Sequence, residues 1–598
     1  MVLRSKVRAP ELVGRGGWVN ANGESFSIAN LRGRIVVLDF WTSSCINCVH
    51  VMEELRVLEE RYSRDQVIIL GIHSPKFEHE GDHDAVVAAV MRHGIDHPVL
   101  DDPDLITWRG YGVRAWPTIV VVNQEGYIAY VAAGEQQLPA LINVINSLLE
   151  SAGQKQQSHR QDSVSGSKAT ANKIWYPSKL ARALDGTLFL ANTGNHNILQ
   201  LAADGDKVLR QIGSGIRGKE DGNLEEAQFS EPTAVLNLDG KLSSQLPYDM
   251  IVADRGNHAL RTVSLHDGEV KTLAIGLWSP WDIVYWPAID RLVIAIAGRH
   301  LIASMDIRTG EVGILAGSGR EGIHDGDARR AEFAQPSALA AEPGPDGSLW
   351  VIDAETSALR RVWSEGKRIF VETAVGRGLF DFGHRDGPAG QALLQHPQGV
   401  SLDKPGNVII ADTFNGAIRK YIPATRQVST IIDGLQEPTD VLTMDTDLLV
   451  VESAASRITW VALNVQMAPK QKESTVPVKG DPIVVTPRLD MVIHLSLPEP
   501  MHIDENTENP ARVTITSTPN SLLVEGDGQS SELRRQLKLD QAIEGGTIHV
   551  SAAVATCDDS AGICTLMTQD WNLHVMISNS GTGKIELILS GPPPSENL

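Results

Sequence analysis

The sequence predicts a multidomain chain, α/β at its N-terminus and all-β beyond. Three observations predict it. Strand-like and helix-like patterns alternate over residues 1–150, one motif recurs six times between Lys173 and Asn464, and alternating strand runs between Pro- and Gly-rich turns fill 465–598. A length of 598 residues also exceeds what one hydrophobic core supports.

In the first zone, Arg34 to Trp41 is a β-branched apolar run. Val49 to Arg64 places Val51, Met52, Leu55 and Leu58 at helical spacing with charges between them. Gln66–His73 and Thr118–Asn123 read as further buried strands. Gly126 turns the chain into Tyr127–Ala132, and Leu138–Leu149 reads as a closing helix. Strands alternating with helices imply a layered sheet with parallel pairs. Residues 151–171 are small and polar without an aromatic, the composition of a flexible linker.

The next zone, 172–464, repeats itself. A short apolar strand, a turn and an aliphatic residue seven positions on recur from Ala191, Ala253, Ala295, Ile352, Ala411 and Val451, at intervals of 40 to 62 residues. The shorter intervals suit a four-stranded propeller blade of ~40–45 residues. The longer ones share an insertion: Asp221-Gly222, Ala227, Phe229 and Pro232 recur as Asp325-Gly326, Ala331, Phe333 and Pro336, and as Asp386-Gly387, Ala392, Leu394 and Pro397. The pattern predicts a six-bladed β-propeller, each insertion forming a loop and short helix on one face. In the last zone, Met491–Leu497, Ala511–Thr516 and Trp571–Ile577 predict a small antiparallel β-sandwich-like domain, with a tail from Gly591.

Composition narrows the function. The chain has 74 acidic and 53 basic side chains and a formal net charge of −21, which argues against nucleic acid as the main partner. No ~20-residue apolar run suits a bilayer, so no membrane association is expected. The basic N-terminus lacks a following apolar stretch, and the expected location is cytoplasmic. There, a CxxC is more often catalytic or metal-binding than a structural disulfide.

Four cysteines lie in two pairs, Cys45/Cys48 and Cys557/Cys564. Cys45-Ile46-Asn47-Cys48 follows a predicted strand and opens a predicted helix. A helix N-terminus stabilises a thiolate through its unpaired N–H groups and dipole. Cys45 at the helix start is therefore the candidate attacking thiolate, and Cys48 within the first turn the resolving thiol.

Asp39-Phe40-Trp41-Thr42-Ser43-Ser44-Cys45-Ile46-Asn47-Cys48, with Trp116-Pro117-Thr118 downstream, resembles the active site of the thioredoxin superfamily. The resemblance implies a thioredoxin-like fold with a cis proline at Pro117 beside the cysteines. It also implies that Asp39 takes the resolving thiol's proton and that Trp41 neighbours the site. Ser44 stands where many members carry Trp, Ile46-Asn47 replaces the Pro or Gly of the motif, and Val51 falls where secreted relatives often have Glu.

Other readings of the motif are half a zinc site with His50 nearby, a redox-inactive fold kept for binding, and a thiol peroxidase, for which Thr42 precedes Cys45 by three residues. No cofactor and no bound metal are expected. The Ala-Asp-Thr-x-Asn and Ala-Asp-Arg-Gly-Asn-His turns, followed by Leu260-Arg261 and Ile418-Arg419, resemble NHL repeats, which implies an NHL-type propeller serving as a protein-binding platform. His196, His258 and His300, at equivalent repeat positions, read as structural turn or inter-blade residues. Cys557 and Cys564 join two strands across six residues, either as an inert pair or as a second redox pair. Their loop resembles the two-cysteine loop of an immunoglobulin-like domain in bacterial transmembrane thiol reductases. Together these features predict a thiol–disulfide oxidoreductase whose propeller recruits a client or partner protein, against a non-enzymatic scaffold.

Overall fold

A computed structural model describes residues 2–153; 173–462 apart from 239, 244–245 and 445–446; and, further on, 483–485, 491–497, 502–503, 511–518, 522–540, 543, 545–558, 563–578 and 584–588. The linker at 151–171 falls almost entirely outside the described residues, as does the tail. No described helix is long and apolar enough to cross a membrane.

The N-terminal part is a seven-stranded mixed sheet. Its strands are β1 (Val2–Arg8), β2 (Gly17–Val19), β3 (Ile35–Trp41), β4 (Val67–His73), β5 (Val99–Asp101), β6 (Thr118–Val122) and β7 (Tyr127–Ala133), in spatial order 1-7-6-3-4-5-2. β3, β4 and β5 pair in parallel, while β6 and β7 run antiparallel beside β3. β3 and β4 are buried along their whole length, which explains why they read as unbroken apolar runs. Helices α1 (Ile46–Arg61) and α4 (Leu138–Ser151) pack Val51, Leu55, Leu58, Leu141 and Ile145 against Ile35, Val37 and Val121. Two shorter helices, α2 (His83–Arg92) and α3 (Ile106–Gly110), complete this part.

Six antiparallel sheets follow in chain order. Their first long strands are Leu180–Arg182, Pro232–Asn237, Pro280–Trp286, Pro336–Ala341, Gly399–Leu402 and Pro438–Thr443, and each packs against the corresponding strand of the next sheet. The sixth also meets the first. Leu180 N donates to Asp440 Oδ2 at 2.9 Å, and Tyr176 N donates to Ser456 Oγ at 3.2 Å. Lys179 Nζ reaches Gln398 O at 2.9 Å and Asp282 at 3.4 Å, so the first sheet touches the third and fifth at one buried point.

The three insertions form no helix among the described residues. Each supplies a two-residue outer strand, Gly222–Asn223, Gly326–Asp327 or Gly387–Pro388, and the aspartate before it. The aspartates explain the shared spacing, because Asp221, Asp325 and Asp386 bind Arg261, Arg360 and Arg419. Each arginine is almost fully buried and also pairs with the aspartate of its own repeat turn, Asp254, Asp353 or Asp412. A buried guanidinium needs charged acceptors of this kind, and each of the three has two carboxylates.

The repeat turns carry a left-handed residue at their ends, and it staples neighbouring sheets. His196, His258 and His300 accept at Nδ1 from the main-chain N–H of Glu231, Ser279 and Gln335, at 3.2, 2.9 and 3.2 Å. Ser357 and Ser456 do the same through their hydroxyls. The three histidines are thus structural, as their equivalent positions imply.

The C-terminal strands form a six-stranded and a four-stranded sheet around a shared core that includes Ile493, Val513, Leu537, Ile548 and Val550. The expected purely antiparallel arrangement needs correction. Ile483–Val485 joins Ile563–Ile577 in parallel, and Lys584–Ile588 joins Met491–Ser496 in parallel.

Candidate functional site

The CxxC lies where β3 ends and α1 begins. Cys45 is the N-cap of α1, with φ −82° and ψ 109°, and its Sγ accepts from Cys48 N at 3.3 Å. Cys45 is partly exposed, Cys48 is fully buried, and both are free thiols. Cys45, Cys48, Trp41 and Trp116 share one apolar cluster. The Trp116–Pro117 peptide is cis. Because Phe40 pairs with Thr118 in the sheet, Pro117 sits level with the end of β3 beside the motif.

Asp39 lies behind the cysteines, fully buried, with neither carboxylate oxygen hydrogen-bonded. Burial pushes its carboxyl up to about 8. Burial also raises the Cys48 thiol well above its ordinary value, with further contributions from Cys45 and Asp39. A buried carboxyl that titrates near neutral pH beside a buried thiol suits a proton acceptor that works only when the thiol must ionise.

The raised value has a consequence for stability. Between the ordinary carboxyl value of 3.8 and about 8 the native chain binds a proton that the unfolded chain releases, so this group's contribution declines as pH rises through that window. Asp39→Asn should flatten that decline. Thermal melts across the window should show the variant gaining on wild type with pH, and parallel profiles would refute the assignment.

The loop before Cys45 is tied from both sides. Glu80 Oε1 accepts from Ser44 N at 2.7 Å and Ser43 Oγ at 2.8 Å, while Oε2 accepts from Lys76 N and Phe77 N, both at 3.0 Å. From the fourth sheet, Gln335 Oε1 accepts from Ile46 N and Gln335 Nε2 donates to Ser44 O, each at 2.9 Å. Ser44 is 6% exposed, a confined position that suits serine where an indole would need space.

One side of α1 also faces the six-sheet region. His50 Nδ1 contacts Glu135 at 2.6 Å, and its Nε2 contacts Ser279 Oγ at 2.7 Å. His50 is thus engaged away from the thiols, unlike in the half-zinc reading. Gly298 permits this approach, because a Cβ there would lie 2.7 Å from the His50 ring. Lys76 forms a buried ion pair with Glu355, and Glu437 pairs with Arg92 and His79. Phe77 packs against Phe382, His396 and Phe414. The contact is therefore extensive, combining buried polar pairs with an aromatic cluster at one side.

Residues 33–128 match the family model described as thioredoxin-like. The N-terminal domain is thioredoxin-like. The chain is 32% identical over 501 residues to SUPPRESSOR OF QUENCHING 1, a chloroplastic protein of Arabidopsis thaliana, covering 76% of this chain and 46% of that one. It is 32% identical over 463 residues to human NHL repeat-containing protein 2, covering 69% of this chain and 62% of that one. The chain thus spans about half to three-fifths of these relatives' lengths. The thioredoxin-like domain is 29% identical over 145 residues to thiol-disulfide oxidoreductase ResA of Halalkalibacterium halodurans, covering 24% of this chain and 80% of that protein.

Sequence reasoning named Asp39, Trp41, Cys45, Cys48 and Pro117, and the structure brings these together. It did not name Glu80 or Gln335. Glu80 carries no sequence signal. Gln335 carries a faint one, as the variable residue before a repeated proline. The second cysteine pair lies elsewhere. Cys557 and Cys564 are directly opposed in register on the hairpin Gly545–Asp558/Ile563–Ile577, and the second of these strands packs beside α3 of the thioredoxin-like domain. The hairpin tip and both cysteine side chains lie outside the described residues.

Proposed function

We propose that the protein is a thiol–disulfide oxidoreductase. The Cys45 thiolate attacks a client disulfide, forming a mixed disulfide and releasing one client thiolate. Asp39 takes the proton from Cys48, whose sulfur then displaces the second client thiolate and leaves a Cys45–Cys48 disulfide. The client gains two electrons, and an external dithiol restores the protein. The observation that carries this reading is the arrangement of a partly exposed Cys45 at a helix N-cap, a buried Cys48 one turn on, and an unpartnered Asp39 behind it.

We read the six sheets as a six-bladed NHL-type β-propeller over residues 172–464, flanked by the thioredoxin-like domain (1–150), the 151–171 linker and the C-terminal domain (465–598). The meeting of Lys179 with Asp282 and Gln398, and of Ser456 with Tyr176, supports this arrangement. One propeller face holds the thioredoxin-like domain, so recruitment of a protein client falls to the surfaces that docking leaves open. Four cysteines in 598 residues suit a reducing compartment, and the cytosol is the location proposed.

The test is reduction of insulin disulfides by the full chain with dithiothreitol, compared with Cys45→Ser. Equal, negligible rates would assign the protein to the scaffold class instead. The opposed register of Cys557 and Cys564 favours a second thiol pair that exchanges with the first. If so, the oxidised chain should carry no alkylatable thiol, and Cys557→Ser should expose one and slow turnover severalfold. Two alkylatable thiols in the oxidised wild type, with turnover unchanged in Cys557→Ser, leave one thiol centre.

A further inference from the structure

Six prolines lead into the first long strands of the six sheets, and the residue before each has a positive φ: Tyr176 41°, Glu231 50°, Ser279 60°, Gln335 63°, His396 45° and Glu437 46°. A left-handed backbone is costly for any residue with a Cβ, and it persists where the surroundings over-determine it. These six side chains share one face, and the thioredoxin-like domain rests on it. Tyr176 lies under Arg92, Ser279 meets His50, His396 meets Phe77, and Glu437 meets His79. Glu231 acts through Arg217, which also pairs with Glu53.

Gln335 differs from the others in its target. Its carboxamide binds the main chain on both sides of the nucleophile, the carbonyl of Ser44 and the N–H of Ile46. The main-chain groups of Cys45 itself are satisfied locally: Cys45 N donates to Thr42 O at 3.3 Å, and Cys45 O accepts from Cys48 N at 3.1 Å and Val49 N at 3.2 Å. Outside the loop, Glu80 holds Ser44 N, and Gln335 supplies the bonds to Ser44 O and Ile46 N. It is 1% exposed, and its own N–H is fixed by His300, so it presents a rigid template.

We propose that Gln335 is a positioning residue for Cys45, so that the docked propeller completes the thiol site rather than capping it. The proposal rests on the reading of Cys45 as the attacking thiolate. Gln335 contacts the main chain and not the sulfur, and Cys45 stays partly exposed under the docked face. Holding both flanking peptides keeps the first turn of α1 intact, and with it the Cys48 N–H aimed at the Cys45 sulfur. That N–H is the donor which favours the thiolate.

The experiment uses the reduced full chain and follows alkylation of Cys45 by iodoacetamide, read by peptide mass, together with the thiolate's ultraviolet absorbance. Gln335→Ala should slow alkylation at neutral pH about tenfold, the worth of one to two net hydrogen bonds, and move the thiolate absorbance to higher pH. Gln335→Glu, which loses the donor to Ser44 O, should do the same. Tyr176→Ala, which removes a docking contact to Arg92 away from the loop, should leave both signals as in wild type. Faster alkylation in Gln335→Ala would make the propeller a lid and overturn the proposal. Unchanged alkylation in Gln335→Ala, or equal losses in Gln335→Ala and Tyr176→Ala, would overturn it too. Alkylation reads the thiolate whether or not a disulfide is turned over. A reactive Cys45 without insulin reduction would therefore refute the oxidoreductase reading alone.

Discussion

Cys45→Ser should abolish disulfide reduction, a loss on the order of 10⁴-fold or more, as expected when a nucleophile is deleted. A serine hydroxyl at the N-cap of α1 can still accept from Cys48 N, so the helix start and the fold should survive. Cys48→Ser should behave differently. Cys45 keeps its exposure and can still attack, but no second thiol releases the client, so a mixed disulfide accumulates. Asp39→Asn should accumulate the same intermediate transiently, because Cys48 then ionises more slowly without its buried acceptor. Turnover by Cys45→Ser within threefold of wild type would remove Cys45 from the chemistry. Release of client by Cys48→Ser at the wild-type rate would remove the resolving role.

Arg360→Ala should be the most damaging single change outside the thiol site. Arg360 is fully buried; it donates to Glu332 O at 2.8 Å and His324 O at 3.2 Å, pairs with Asp325 at 2.9 Å and Asp353 at 3.4 Å, and lies 4.9 Å from the Phe333 ring. Truncation strands Asp353, which burial already pushes up to about 6, together with two carbonyls. Breaking one side of such a buried network costs about 3–5 kcal/mol. Urea unfolding, followed through a tryptophan of the six-sheet region, should show the corresponding drop in midpoint. The double variant Arg360→Met, Asp353→Asn should recover part of it, because no buried charge is left unpaired. A loss below ~1 kcal/mol for Arg360→Ala would mean that the insertions are not held by their arginines.

Much of the architecture was readable because local signals agreed with tertiary ones. β3 and β4 are buried on both faces, so their apolar runs were continuous. The repeated insertion kept its spacing because Asp325 must reach Arg360, as Asp221 reaches Arg261 and Asp386 reaches Arg419. The expected helix in each insertion was wrong for a related reason. The segment's task is to deliver one aspartate and pair two residues with an outer strand, which needs no helix. The C-terminal sheets read as antiparallel because alternation marks a strand but not its direction.

The sequence alone determined which groups are proposed to react. Cys45 and Cys48 stand one helical turn apart at a strand–helix junction, and Asp39 sits on a strand that apolar neighbours bury, so the proposed chemistry rests on local geometry and burial. Only the tertiary structure decided what holds those groups. Glu80 and Gln335 lie 35 and 290 positions beyond Cys45, and their bonds to its loop arise from packing that no local period encodes. The residue before each repeated proline is free to vary because each faces a different part of the thioredoxin-like domain. That variation, which looks like noise along the chain, is the imprint of one asymmetric domain on a repeated surface.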